Sequence, residues 1–135
     1  MRGRIGSGKT YKARLMCAET GAVYLGVDEV MEAKHGTACM GREAHVKAEA
    51  AVLADFLNQA VSLHGDGKDV VIDHGFWLKS ELAAATEYLA SKGVPYTVVE
   101  MSADFDTRLK RVSSRTSGKC FTDEKLRQLD RYYEE

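Results

Sequence analysis

Apolar and polar positions along this chain switch between two periods, and the switching predicts its elements. Ala22–Val27 (AVYLGV) is a short apolar run of strand formers, and Val70–Ile72 is an unbroken β-branched run closed by Asp73. Pro95–Met101 (PYTVVEM) reads as another strand. Elsewhere the spacing is three and four. Val46, Ala50, Leu53, Leu57 and Ala60 or Val61 set one apolar stripe on a long helix over Glu43–Leu63, ended by a turn at His64–Lys68. Tyr11–Thr20 predicts a helix stopped by Gly21; Ser80 caps another that runs to about Ser91 ahead of Gly93. A basic helix (TRLKRVSSR) begins near Asp106, Thr116–Lys119 is a loop, and Thr122 caps a last helix over Asp123–Tyr133. Strands alternating with long helices imply right-handed crossovers and an α/β architecture, a parallel sheet covered on both faces.

Within that frame one stretch carries specific chemistry. Residues 3–10, GRIGSGKT, match G-x-x-x-x-G-K-[ST] in full. Gly3 and Gly8 permit a tight turn, so that the backbone N–H groups of Gly6, Ser7, Gly8 and Lys9 converge on phosphate oxygens. Lys9 adds a point charge for the β- and γ-phosphates, and the Thr10 hydroxyl can ligate Mg²⁺. The following helix contributes its positive N-terminal end. A buried strand should lead into such a loop, yet only Met1 and Arg2 precede it. The expectation is a sheet without its usual first strand, as in a fragment or a misassigned start, or else a gap filled by another segment. Acids fall where strands end: Asp28, Asp73 and, shortly after the third strand, Asp104. Ligands in parallel sheets sit at those ends. Asp73 takes the position of an acid that steadies Mg²⁺, with a loop-capping Asx-turn as its alternative.

Size and composition narrow the classes. At 135 residues the length suits one domain, residues 1–135, and 44% apolar with 29% charged residues is ordinary for a globular chain. A net charge of −1 gives no broad pull toward nucleic acid or a membrane surface, so neither is an expected partner. Cys17, Cys39 and Cys120 are odd in number and show no C-x-x-C spacing, which points to a reducing cytoplasm rather than a disulfide or zinc scaffold. No signal-peptide pattern or long apolar run suggests export or membrane insertion. His35, His45 and His64 lack metal-ligand spacing and read as surface residues.

The chain resembles the P-loop kinase-like phosphotransferases often labelled AAA-type ATP-binding domains. These are related to zeta toxins, chloramphenicol phosphotransferase, gluconate kinase and the kinase module of polynucleotide kinase. The resemblance spans nearly the whole chain and rests on GRIGSGKT (3–10), GVDEVM (26–31), DVVIDHGFW (69–77), ADFDTRLKRVSSR (103–115) and FTDEKLRQLDRYYEE (121–135). It implies a three-layer α/β/α fold like that of nucleoside-monophosphate kinases, with a lid near 108–120 closing over ATP. The chain stops about where the family continues into a final strand. By resemblance Asp28 accepts the acceptor hydroxyl's proton, with Glu29 as the neighbouring alternative. Arg111 and Arg115 match the lid positions, whereas Arg108, on the same helical face, reads as solvated. His74, Phe76 and Trp77 fall where the family lines its acceptor pocket; Phe76 and Trp77 equally suit the core. The implied activity is transfer of the γ-phosphate of Mg·ATP to a small hydroxylated acceptor. A kinase of nucleic-acid 5′-hydroxyls and a nucleotide-binding remnant without turnover are the alternatives. Acceptor identity and oligomeric state stay open.

Overall fold

The structure, a computed structural model, describes residues 1–36, 41–114 and 122–135. Its sheet is built on two parallel strands. β1 (Val23–Gly26) pairs with β2 (Val70–Asp73) in the register Val23–Val70, Tyr24–Val71, Leu25–Ile72, Gly26–Asp73. Side chains alternate along a strand, and register partners share a face. Val23, Leu25, Val70 and Ile72 therefore face one way, into a cluster with Ala48, Val52 and Phe56 of α3 (Arg42–Gly65). Tyr24, Gly26, Val71 and Asp73 face the other way. There they meet α1 (Lys9–Thr20), whose Thr10 and Arg14 reach Asp73 and Tyr24. Helices cover both faces, as the alternation of elements predicts. α4 (Lys79–Ser91) joins the α3 side through Leu53, Phe76 and Ala85.

The largest departure from the sequence reading lies just after β1. The strand ends at Gly26, and α2 (Val27–His35) begins at once. Val27, Val30 and Met31 sit at helical spacing, Asp28 and Glu29 occupy the first turn and Lys34 and His35 the last. Charges so placed complement the helix dipole. Val27 and Met31 are buried against α3. Strand propensity in AVYLGV hid this boundary, and Asp28 belongs to a helix N-terminus rather than to a strand tip.

The place expected for a first strand is partly filled by Met1–Gly3. The Met1 nitrogen donates to the Ile72 carbonyl (2.8 Å) and the Gly3 N–H to the Gly75 carbonyl (3.1 Å). On the opposite side the Arg2 N–H donates to Val99 O and the Met101 N–H to Arg2 O, both at 2.8 Å, giving a parallel bridge between Arg2 and Glu100. Three residues thus hydrogen-bond to both neighbours. Pro95–Met101, predicted as strand, forms no ladder; among the described residues its one bridge is Glu100 to Arg2. Tyr96 and Val98 are left exposed. Capping also departs from expectation. Leu78 precedes α4, whose first N–H, from Lys79, is taken by Glu134 Oε2 at 2.7 Å, so Ser80 is not the cap. The remaining helices, α5 (Phe105–Ser113) and α6 (Asp123–Asp130), are capped by Asp104 and Thr122, which accept from Thr107 and Lys125 N–H. Asp104 therefore serves a helix and not the cluster of strand-end acids.

Candidate functional site

The loop over residues 3–8 is shaped for close approach. Gly6 (φ 77°) and Gly8 (φ 96°) adopt left-handed conformations that other residues resist. Gly8 heads α1 without any side-chain cap, so the first-turn amides of that helix are left to an anion. Ser7 is buried, and its hydroxyl has no hydrogen-bond partner among the described residues. Lys9 Nζ folds back on the Arg4 carbonyl at 3.0 Å. At Gly6 the loop touches α5, where an added Cβ would lie 2.9 Å from the Arg108 carbonyl oxygen. Gly6→Ala should therefore destabilise the protein by about 1–3 kcal/mol, combining positive-φ strain with a backbone clash. Urea unfolding of the variant measures this, and an unchanged midpoint would mean that α5 does not seat on the loop.

Opposite the loop stand the acids. Asp73 is buried at the end of β2, and its Oδ2 accepts from Thr10 Oγ1 at 2.6 Å and from Tyr24 Oη at 2.8 Å. Burial, then the hydrogen bond to Asp73, push the Tyr24 phenol well above its usual range, so it remains a donor. Asp28, in the first turn of α2, is accessible to solvent yet crowded by protein, and burial raises its pKa. Glu49 and Asp73 push it the same way; Lys9 and His74 oppose them. No hydrogen bond to the Asp28 carboxylate is found among the described residues.

Further charges near Asp28 come from α3 and from the segment after β2. His45 and Glu49, one turn apart on α3, pair at 2.9 Å. That hydrogen bond raises the pKa of His45. Burial alone would raise Glu49, but the bond from His45 and the charges of both histidines outweigh it and hold Glu49 below its usual range. His74 is buried, paired with Glu81 and edge-on to Phe76 at 4.8 Å. His45 is exposed, as the sequence reading expects, but its pairing with Glu49 and the charge of Asp28 bring it into the electrostatics of the site. Its i, i+4 spacing to Glu49 was the only signal in the sequence, and such pairs are common on solvated helices. Phe76 packs in the core with Leu53 and Ala85 at φ 46°, a left-handed conformation rare for an aromatic residue. Trp77 is half-buried.

The arginines divide unexpectedly. Arg111 Nη1 donates to the Gly6 carbonyl at 2.9 Å, which ties α5 to the loop. Arg115 lies outside the described residues. Arg108, expected in solvent, is only 4% exposed and holds Asp130 of α6 with two bonds of 2.9 and 2.6 Å. Asp130 sits far along the chain, so no local pattern revealed the pairing. Arg2 is buried as well, bonding the Phe76 and Glu134 carbonyls and the Glu100 carboxylate.

The residues present fit a magnesium nucleotide. An uncapped helix N-terminus behind a glycine loop with a lysine suits a triphosphate. Mg²⁺ takes hard oxygen ligands and commonly uses one or two protein groups, with phosphates and waters completing its shell. The Thr10 hydroxyl and Asp73 carboxylate supply such a pair. Among the described residues no group of three or more metal-ligating side chains exists, and this mode of binding needs none.

A model of the AAA domain family matches residues 1–135, and the chain belongs to that family. Eight solved chains match its fold. One is a crystal structure of a candidate kinase from Chloroflexus aurantiacus, with a TM-score of 0.76 at 17% identity, covering 95% of this chain and 71% of that one. At such identity the likeness is one of fold. No curated protein matches. Family membership and the loop sequence together support a P-loop, nucleotide-binding role, on a fold shared with that structure. No helix among the described residues is long and apolar enough to cross a membrane.

Proposed function

We propose that this chain transfers the γ-phosphate of ATP to a hydroxyl group of a small-molecule acceptor. The observation that carries the reading is the Asp28 carboxylate, lacking a hydrogen-bond partner among the described residues and within electrostatic reach of Lys9 and of Asp73, which Thr10 holds. The α1 amides and Lys9 hold the triphosphate tail, and Thr10 with Asp73 hold Mg²⁺. When bound, the metal offsets phosphate charge and draws electron density from the γ-phosphorus. Asp28 orients the acceptor hydroxyl and takes its proton as the new O–P bond forms and the bond to the ADP oxygen breaks. Arg111, already against Gly6, and, by the family resemblance, Arg115 steady charge on the moving phosphoryl group. The acceptor lies toward Glu49 and His74. The cytoplasm, where Mg·ATP is plentiful, is the proposed setting.

Lys9→Ala tests the reading. Transfer should fall by about a hundredfold or more, the loss typical of removing one preorganised charge-stabilising donor. Mg·ATP titration should show weaker binding in the same variant. A screen of radiolabelled ATP against sugars, nucleosides, amino alcohols and 5′-hydroxyl oligonucleotides then identifies the acceptor class. Transfer to oligonucleotides alone would replace the small-molecule acceptor. If nothing is phosphorylated and Lys9→Ala binds ATP like the wild type, the phosphotransferase reading fails.

A further inference from the structure

We infer that Tyr24 is a positioning residue for Asp73, and that Gly26 lacks a side chain so that Tyr24 can reach it. The inference rests on the reading of Thr10 and Asp73 as the Mg²⁺ ligands. Its own grounds are geometric. Tyr24 and Gly26 are two apart on β1 and share the face that meets α1, while Asp73 is the register partner of Gly26. Tyr24 therefore crosses Gly26 on the diagonal to bring its Oη 2.8 Å from Asp73 Oδ2. A Cβ at Gly26 would sit 2.5 Å from that same phenolic oxygen. On its outer side the ring is covered by the Arg14 guanidinium, 4.6 Å from the ring centroid, and Arg14 is paired in turn with Glu29, the neighbour of Asp28. The phenol is thus fixed from both sides in the one orientation that serves the carboxylate.

The arrangement has a chemical use. A hydroxyl has one proton and two lone pairs. Thr10 directs its proton to Asp73 at 2.6 Å, which leaves lone pairs available to a cation. If Thr10 were the only group restraining Asp73, a shift of Thr10 toward a metal would leave the carboxylate loose. Tyr24 supplies a second restraint from β1, a strand that carries neither of the two proposed ligands. Groups that orient a metal ligand in this way commonly govern affinity by ten- to hundredfold.

Two variants separate this role from simple packing. Tyr24→Phe keeps the ring and its cover but removes the donor; Gly26→Ala keeps the donor but displaces it. Each is titrated with Mg²⁺ at fixed fluorescent ATP analogue, with a parallel ATP titration in EDTA and a thermal melt. In both variants the half-saturating Mg²⁺ concentration should rise about tenfold, the lower end of that range, with affinity for metal-free nucleotide unchanged. A purely structural Tyr24 would instead lower the melting temperature and leave the Mg²⁺ midpoint where it is in the wild type, which overturns the inference. Should Gly26→Ala fail to fold, Tyr24→Phe alone decides it. A wild type whose nucleotide affinity ignores Mg²⁺ overturns the ligand assignment of Thr10 and Asp73 and, with it, this role for Tyr24.

Discussion

Asp28→Asn is expected to lower phosphoryl transfer by about 10²–10⁴-fold, the range for loss of a positioned general base, while Mg·ATP binds almost as before. Asparagine has the same shape but cannot accept the acceptor's proton. The pH profile gives a second readout. Burial and the nearby Glu49 and Asp73 raise the Asp28 pKa against the pull of Lys9 and His74. A base works ionised, so wild-type kcat/KM should fall as pH drops through a value above the ordinary aspartate pKa of about 3.9. That limb should vanish from the residual activity of the variant. Stability runs the other way. A group whose pKa is higher folded than unfolded favours folding below its unfolded pKa, and the benefit is lost as pH rises through the folded value. At neutral pH the native carboxylate is therefore a strain on the fold, and Asp28→Asn should unfold no earlier than the wild type. A variant that is inactive and also unstable would point to a structural role, and full transfer by Asp28→Asn would remove Asp28 from the chemistry.

Arg108→Ala is the second large effect, and it falls on stability. The guanidinium is buried with two bonds to Asp130 and a longer one, 3.4 Å, to the Ile5 carbonyl. Removing it leaves the Asp130 carboxylate with only the Arg4 guanidinium, 3.9 Å away, and opens space beneath the phosphate loop. Breaking a buried pair from one side costs about 3–5 kcal/mol; the Asp130 side chain is 25% exposed, so the lower end applies. For a chain of this size that is a fall in melting temperature of about 10 °C. Arg108→Lys should recover only part, since an ammonium cannot grip both carboxylate oxygens in one plane. If Arg108→Ala melts within about 2 °C of the wild type, a difference worth well under 1 kcal/mol, the clamp between α5 and α6 is not holding the loop.

What was legible in the sequence was local or periodic. The glycines and Lys9 announced the loop because few other patterns combine such turns with one ammonium. The three-and-four spacing from Val46 to Val61 announced α3, although Val46 and Ala50 are exposed and Val52 and Phe56 join Leu53 and Ala60 on its buried face, and Thr122 announced the start of α6. The features that escaped are fixed by partners distant in sequence. Arg108 faces Asp130, Tyr24 reaches Asp73 only once β1 and β2 are in register, and Arg2 gathers carbonyls from Phe76 and Glu134. Arg108 read as solvated, Tyr24 as one residue of an apolar strand run, and Arg2 only as the residue before the loop. α2 was hidden differently, since Val27 suits the end of a strand as well as the start of a helix and only tertiary packing decides between them.

The bridging of Met1–Gly3 between β2 and the Arg2–Glu100 pairing makes the phosphate loop a hanger slung from two rails. Hydrogen bonds on either rail and the grip on an anion then share one thermodynamic linkage. Loosening either rail therefore loosens the backbone that leads into the loop.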